Sequence, residues 1–187
     1  MTTERTKIID FPSTEPKPRK RERRIRNVDG VKYFNGKQIK LLRRTVRDQA
    51  EIDIKKDNKT AVKEWMVIDL LTSTGLRVSE AADLRCGDLR LGYSESKIYV
   101  RYGKAAVSGH VIVNDALRRH LRAFTGYKQS IGEPVSDEDF LFIGQRGPRT
   151  SQAIQQIVKK YLKKLGLYQT GKSVHALRHS YAVELYS

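Results

Sequence analysis

An apolar run stops at a glycine and the chain restarts around an arginine: Trp65-Met66-Val67-Ile68-Asp69-Leu70-Leu71 leads into Thr74-Gly75-Leu76-Arg77-Val78-Ser79-Glu80. This stretch constrains the fold more than any other. The first part reads as a hydrophobic helix. Glycine takes the left-handed conformation that a helix C-cap needs, so the helix is expected to end at Gly75. A second helix then begins, with Ser79 and Glu80 near its first turn. Arg77 falls between the two. An arginine held on a tight turn between packed helices has a fixed position and a permanent charge, which suits a bound anion. A structural ion pair with Glu80 accounts for the same residues and, from this segment alone, is the plainer reading.

The charge balance bears on which reading applies. The 187 residues carry a net charge of +16. Residues 1–32 contribute +5 and residues 33–187 the remaining +11. A basic tail on a neutral domain would suggest an address signal, whereas a domain that is basic itself suggests a surface that tracks phosphates. With Cys86 as the single cysteine, no intrachain disulfide and no cysteine zinc cluster can form,. A cytoplasmic, nucleoid-associated location is the natural expectation. No apolar run approaches the ~20 residues of a membrane span, and the N-terminus shows no secretory signal.

Residues 1–32 read as a disordered basic arm, polar and interrupted by Pro12, Pro16 and Pro18,. Lys17, Arg19, Lys20, Arg21, Arg23, Arg24 and Arg26 are candidates for contact with a nucleic-acid backbone; a solvated tail without that role is the alternative,. Order is expected from Tyr33. Ile39, Leu42, Val46 and Ala50 recur at helical spacing, with Asn35 or Gly36 as the cap. After a turn at Asp57-Asn58-Lys59, a helix is predicted over residues 60–73 and a short one over 79–84. The period then changes to two: strands are predicted over 97–102 and 110–113, with a short third at 89–91 and a hairpin loop at 103–109. Asn114 caps a helix that includes Phe124, and residues 126–139 read as a polar connection. Thr150 or Ser151 caps a helix ended by Gly166, with Lys159, Lys160, Lys163 and Lys164 on its exposed face. Ser173 caps the last helix. The expected class is α+β, mainly helical, with a small antiparallel sheet.

Three basic positions stand out: Arg77 on its turn, Lys104 on the hairpin loop, and His175 with Arg178 three residues apart on one helix face,. Read singly, Lys104 could be an ordinary exposed lysine and His175 a core histidine. In this order they resemble the catalytic domain of the tyrosine recombinase (phage integrase) family. The resemblance rests on Thr74-Gly75-Leu76-Arg77-Val78-Ser79-Glu80 with Leu84-Arg85 and Gly87-Asp88, on Gly103-Lys104, and on His175-Ala176-Leu177-Arg178-His179-Ser180-Tyr181-Ala182. It runs from about Tyr33 to the last residue.

The resemblance implies the fold of a DNA breaking-rejoining catalytic core and attack of a tyrosine on a DNA phosphodiester, without metal or other cofactor. It implies that Arg77 and Arg178 bind the non-bridging oxygens, a task suited to planar guanidinium forks. It makes Lys104 the general acid for the leaving oxygen and His175 a phosphate contact assisting proton transfer. Glu80 and His179 become supporting residues, and double-stranded DNA and other recombinase protomers become the partners.

The sequence departs from the family pattern in two places. No residue matches the nucleophilic tyrosine: Tyr181 occupies an aromatic packing position in the motif, and Tyr186 does not correspond either. No helical core-binding domain precedes Tyr33. The expectation is a partial catalytic domain over 33–187 that binds DNA and is inactive alone; a non-catalytic remnant that binds DNA or a full-length recombinase is the alternative. Catalysis completed by a tyrosine from another protomer, and a relative of type IB topoisomerases, are further readings. Val174, Leu177 and Leu185 are expected to be exposed because the helices that normally cover them are absent from the sequence.

Overall fold

The computed structural model describes residues 32–185, apart from 57, 93–95, 102–107, 171 and 173. The basic-arm residues, Lys104, Ser173 and Tyr186 lie outside the described residues.

Among the described residues, six helices and two small sheets follow from local signals. Helix α1 (Gly36–Ile54) is capped by Asn35, whose side chain accepts from the Gln38 amide while Gln38 reaches back to the Asn35 amide,. Helix α2 (Lys59–Thr74) starts on Asn58 and ends on Gly75 at φ 62°. Helix α3 (Val78–Ala82) is short, and a single 3-10 turn (Cys86–Asp88) follows it. Strands β1 (Leu89–Leu91), β2 (Ser96–Val100) and β3 (Gly109–Ile112) form an antiparallel sheet in that order, with Ile98 paired to both Leu89 and Val111. Helix α4 (Asp115–Ser130) leads to a two-residue hairpin, β4 (Ile143–Gly144) and β5 (Gly147–Pro148). Thr150 caps α5 (Ser151–Lys164), and α6 (Val174–Leu185) completes the described chain.

Helix α2 is the axis of the core. From Ala61 to Thr74 it is buried nearly all round, with Lys63 and Trp65 only partly covered. A one-faced amphipathic pattern would have left a solvent side; α2 has none because it packs against α1, α4, α5 and α6,.

Two expectations fail for reasons of packing. Residues 126–130 are not loop: α4 runs through Gly126 to Ser130. Its continuation carries Lys128, fully buried at 0% exposure, onto Glu133 at 2.9 Å and the Phe140 carbonyl at 3.3 Å. Val174 and Leu177 are buried rather than exposed, because α6 lays them against the rest of the core. Leu185 alone of the three is exposed, at 64%. The lysine face of α5 is largely exposed, as its spacing implies, and two of its lysines still reach partners. Lys160 bonds Glu64 at 2.7 Å and Lys164 bonds Gln49 at 2.9 Å. Burial and the Glu64 carboxylate together push the neighbouring Tyr161 phenol well above its usual range,.

Candidate active site

The site is built where α2 ends. Gly75 turns the chain in the left-handed region, and the Thr74 hydroxyl bridges the turn, donating to the Leu70 carbonyl at 2.7 Å and accepting from the Leu76 amide at 3.3 Å. Arg77 follows in extended conformation as the N-cap of α3. Glu80 reaches back to it: one carboxylate oxygen accepts from the Arg77 amide at 2.7 Å, the other from its guanidinium at 2.5 Å. The ion pair considered from sequence is therefore present. It does not exhaust Arg77, whose side chain remains 36% exposed while that of Glu80 is 6% exposed.

Arg178 arrives from α6, 101 positions further along the chain. Its Nη1 donates to the Gly75 carbonyl at 2.6 Å and stands 3.9 Å from Glu80 Oε2, the oxygen that accepts from the Arg77 amide. Two arginines thus flank one buried carboxylate. Their combined charge exceeds that of Glu80 by one, and both line an open cleft of about 430 Å³. A guanidinium pair anchored on its inner side is suited to gripping a tetrahedral oxyanion, because the donors are in place before it arrives.

The cleft is lined by Arg77, Glu80 and Arg178, by Val100, His110 and Val111 of the sheet, and by Tyr181, Ala182 and Leu185 of α6. Tyr181 packs on the turn: a Cβ at Gly75 would stand 2.5 Å from its Cδ1. Glycine is thus required at this position twice over, for its positive φ and for the approach of the ring. Tyr181 has the packing role its motif position implies.

His175 lies on α6 three residues before Arg178, exposed and outside the cleft lining. His179 is exposed as well and also outside the lining. Lys104 belongs to the connection between β2 and β3, beyond the described residues. His110 was not singled out from sequence, yet it faces the cleft from β3, its ring 5.2 Å from that of Tyr99 across the β2–β3 pairing. No local signal marks it, because its place opposite Tyr99 is set by the pairing of β2 with β3.

Asp88 explains the second part of the first motif. Buried at 2%, it accepts from the Arg85 amide at 2.9 Å and from Arg101 Nε at 2.8 Å. It thereby ties the 3-10 turn to the end of β2, the base from which the Lys104 loop departs. Asp88→Asn is expected to lower stability by about 1–2 kcal/mol, the low end for charged hydrogen bonds because Arg101 is partly exposed. A urea titration measures it; an unchanged midpoint would show that the tie contributes nothing.

Among the described residues no group of three or more His, Cys, Asp or Glu side chains could hold a metal ion. No described helix is long and apolar enough to cross a membrane.

The result is a mainly helical domain that closes two distant arginines around one carboxylate beside a small sheet. The chain belongs to the phage integrase family, which matches it over residues 34–187. It is 32% identical over 138 residues to tyrosine recombinase XerD of Oceanobacillus iheyensis, covering 72% of this chain and 44% of that protein. It is 35% identical over 133 residues to tyrosine recombinase XerC of Thermodesulfovibrio yellowstonii, covering 69% and 43%. The chain spans less than half the length of these two curated relatives. Among solved structures, the XerA recombinase superposes with a TM-score of 0.66 at 23% identity, covering 82% of this chain and 50% of that one. XerH bound to its difH substrate, in a pre-cleavage complex, gives 0.65 at 22%, covering 82% and 42%. At these identities the superpositions establish the fold.

Proposed function

We propose that this chain is the phosphate-gripping part of a site-specific DNA recombinase: it binds double-stranded DNA, seats a backbone phosphodiester in the cleft, and does not cleave alone. The observation that carries the reading is the convergence of Arg77 and Arg178 on either side of Glu80. In this reading residues 33–187 are a partial catalytic domain and residues 1–32 a basic arm whose Lys17, Arg19, Lys20, Arg21, Arg23, Arg24 and Arg26 follow the backbone. Arg77 and Arg178 hold the non-bridging oxygens. Lys104 protonates the leaving oxygen, and His175 contacts the phosphate from the same helix face as Arg178. Glu80 orients both arginines, and His179 supports them. The XerH relative is a recombinase solved on DNA, which supports duplex DNA as the partner. The protein then acts in the cytoplasm, on the nucleoid.

Inactivity alone is supported by Tyr181. Among the described tyrosines it is the one that lines the cleft, and its ring is committed to Gly75. In this reading the nucleophile lies outside the residues that line the cleft, and a tyrosine of another recombinase protomer is one source. Leu185, exposed on the cleft wall, offers apolar surface for such a partner.

Two measurements test this. The chain is expected to bind a duplex with affinity that falls steeply with salt, as counterion release requires. Arg77→Gln with Arg178→Gln should weaken that binding about tenfold or more, the loss of two charge-assisted contacts. Incubation with a nicked duplex that traps covalent intermediates should give no protein–DNA adduct from this chain alone; an adduct would overturn the inactive reading, and salt-insensitive binding would overturn the DNA reading.

A further inference from the structure

On α1, Lys37, Lys40, Arg44 and Arg47 are spaced i, i+3, i+7 and i+10, so they form one stripe along the helix,. Its length is about 15 Å at 1.5 Å per residue, close to the axial span of five successive phosphates of one strand, four rises of about 3.4 Å. The stripe borders a groove of about 260 Å³ lined by Lys40, Arg43, Arg44, Arg47, Trp65, Asp69 and His120. This groove shares no lining residue with the arginine cleft. Trp65 and Asp69 lie on α2 five to nine residues before Thr74, about 8–14 Å along the helix axis from the cleft end.

The groove floor is already neutralised. Asp69 accepts from Arg43 through Nη2 at 2.7 Å and Nε at 3.1 Å, and its other oxygen meets His120 Nδ1 at 2.8 Å. The rim is not. Lys37 and Lys40 form no ion pair among the described residues, and Arg44 and Arg47 meet Asp48 and Glu51 only at 3.6–3.8 Å through largely exposed side chains. Pairs of that kind are loose and readily exchanged for a stronger anion.

We propose that the α1 stripe is a second DNA-backbone contact, separate from the cleft, which holds duplex DNA by its phosphates. This rests on the reading that the chain binds DNA. A continuous row of cations at three- and four-residue steps matches a regular polyanion better than an acidic peptide, whose charges are irregular and whose docking would need an apolar anchor. The net charge of +16 favours the same partner.

The test is anisotropy of a labelled 30-base-pair duplex across about 50–300 mM salt, comparing wild type with Lys40→Gln/Arg44→Gln/Arg47→Gln. Arg43 is left in place because it holds Asp69. The triple variant should bind about tenfold or more weakly at 100 mM salt, and the slope of log affinity against log salt should fall by about 2–3, near 0.9 for each phosphate no longer neutralised. An unchanged slope and affinity in a variant with the wild-type melting temperature overturns the stripe while leaving DNA binding intact. Absence of binding by wild type overturns both. Competition by polyglutamate as strong as by unlabelled duplex overturns DNA as the occupant. Should the triple variant fold poorly, Lys37→Glu/Lys40→Glu reads the same slope without touching an ion pair.

Discussion

Glu133→Ala is expected to lower the unfolding free energy by about 3–5 kcal/mol, the range for removing one partner of a buried ion pair. Glu133 accepts from the ammonium of Lys128 at 2.9 Å and from that of Lys63. Lys128 has no exposed surface and would keep only the Phe140 carbonyl at 3.3 Å. Lys63, bonded also to the Ile143 carbonyl at 3.1 Å, would stand beside it as a second charge without a carboxylate. Pairing Glu133→Leu with Lys128→Met should recover part of the loss, because apolar residues of similar volume replace a buried pair at little cost while Lys63 still lacks its carboxylate,. Urea titrations of the single and double variants decide it, and equal losses in both would sink the account.

The same carboxylate makes stability depend on pH. Burial raises the Glu133 pKa, but the hydrogen bonds and charges of Lys63 and Lys128 outweigh it and hold the group below its ordinary value of 4.5,. The folded pKa is thus the lower one. The stabilisation is fully present above the unfolded value and is lost as pH falls from there through the folded value. Glu133→Gln should flatten the acid limb of a stability–pH curve. An acid limb identical to that of wild type would count against the assignment.

Gly75→Ala is expected to cost about 2–5 kcal/mol. Left-handed backbone accounts for about 1–2 kcal/mol in a residue with a Cβ. Crowding by Tyr181, whose Cδ1 would stand 2.5 Å from that Cβ, adds an overpacking cost of about 1–3 kcal/mol,. The two parts separate in a double-mutant cycle: Tyr181→Ala should relieve the crowding and leave the backbone cost. The functional consequence is larger than the energy suggests. The Gly75 carbonyl anchors Arg178 and its Cα supports Tyr181, so a displaced turn misplaces one arginine relative to the other. DNA affinity should therefore fall in Gly75→Ala even where the chain remains folded. Stability within about 0.5 kcal/mol of wild type, the usual range for neutral surface changes, would refute the close approach.

Much of this chain is legible because its signals are local. Asn35, Asn58, Asn114 and Thr150 cap helices through their own side chains, within three residues of the amides they serve. Gly75 and Gly166 end helices in the left-handed region, and the change of period from 3.6 to 2 marks the sheet. The Arg77–Glu80 pair also lies within one helical turn. What local signals miss is what packing creates. Gly126 looks like a break, yet α4 passes through it because Lys128 finds its carboxylate beyond the helix end. The α5 lysines are solvated as their spacing implies, but that two of them also reach partners on α1 and α2 is set by packing.

The sequence by itself determined the elements, their order, and the kinds of residue that could hold a phosphate. Only the tertiary structure decided that Arg178 closes on the Gly75 carbonyl, that Glu80 serves both arginines, that His110 faces the cleft, and that His175 and His179 lie outside its lining. The reason is the range of the forces involved. Caps and turns follow from a few adjacent dihedral angles, whereas contacts between residues a hundred positions apart are set by the packing of whole helices around α2.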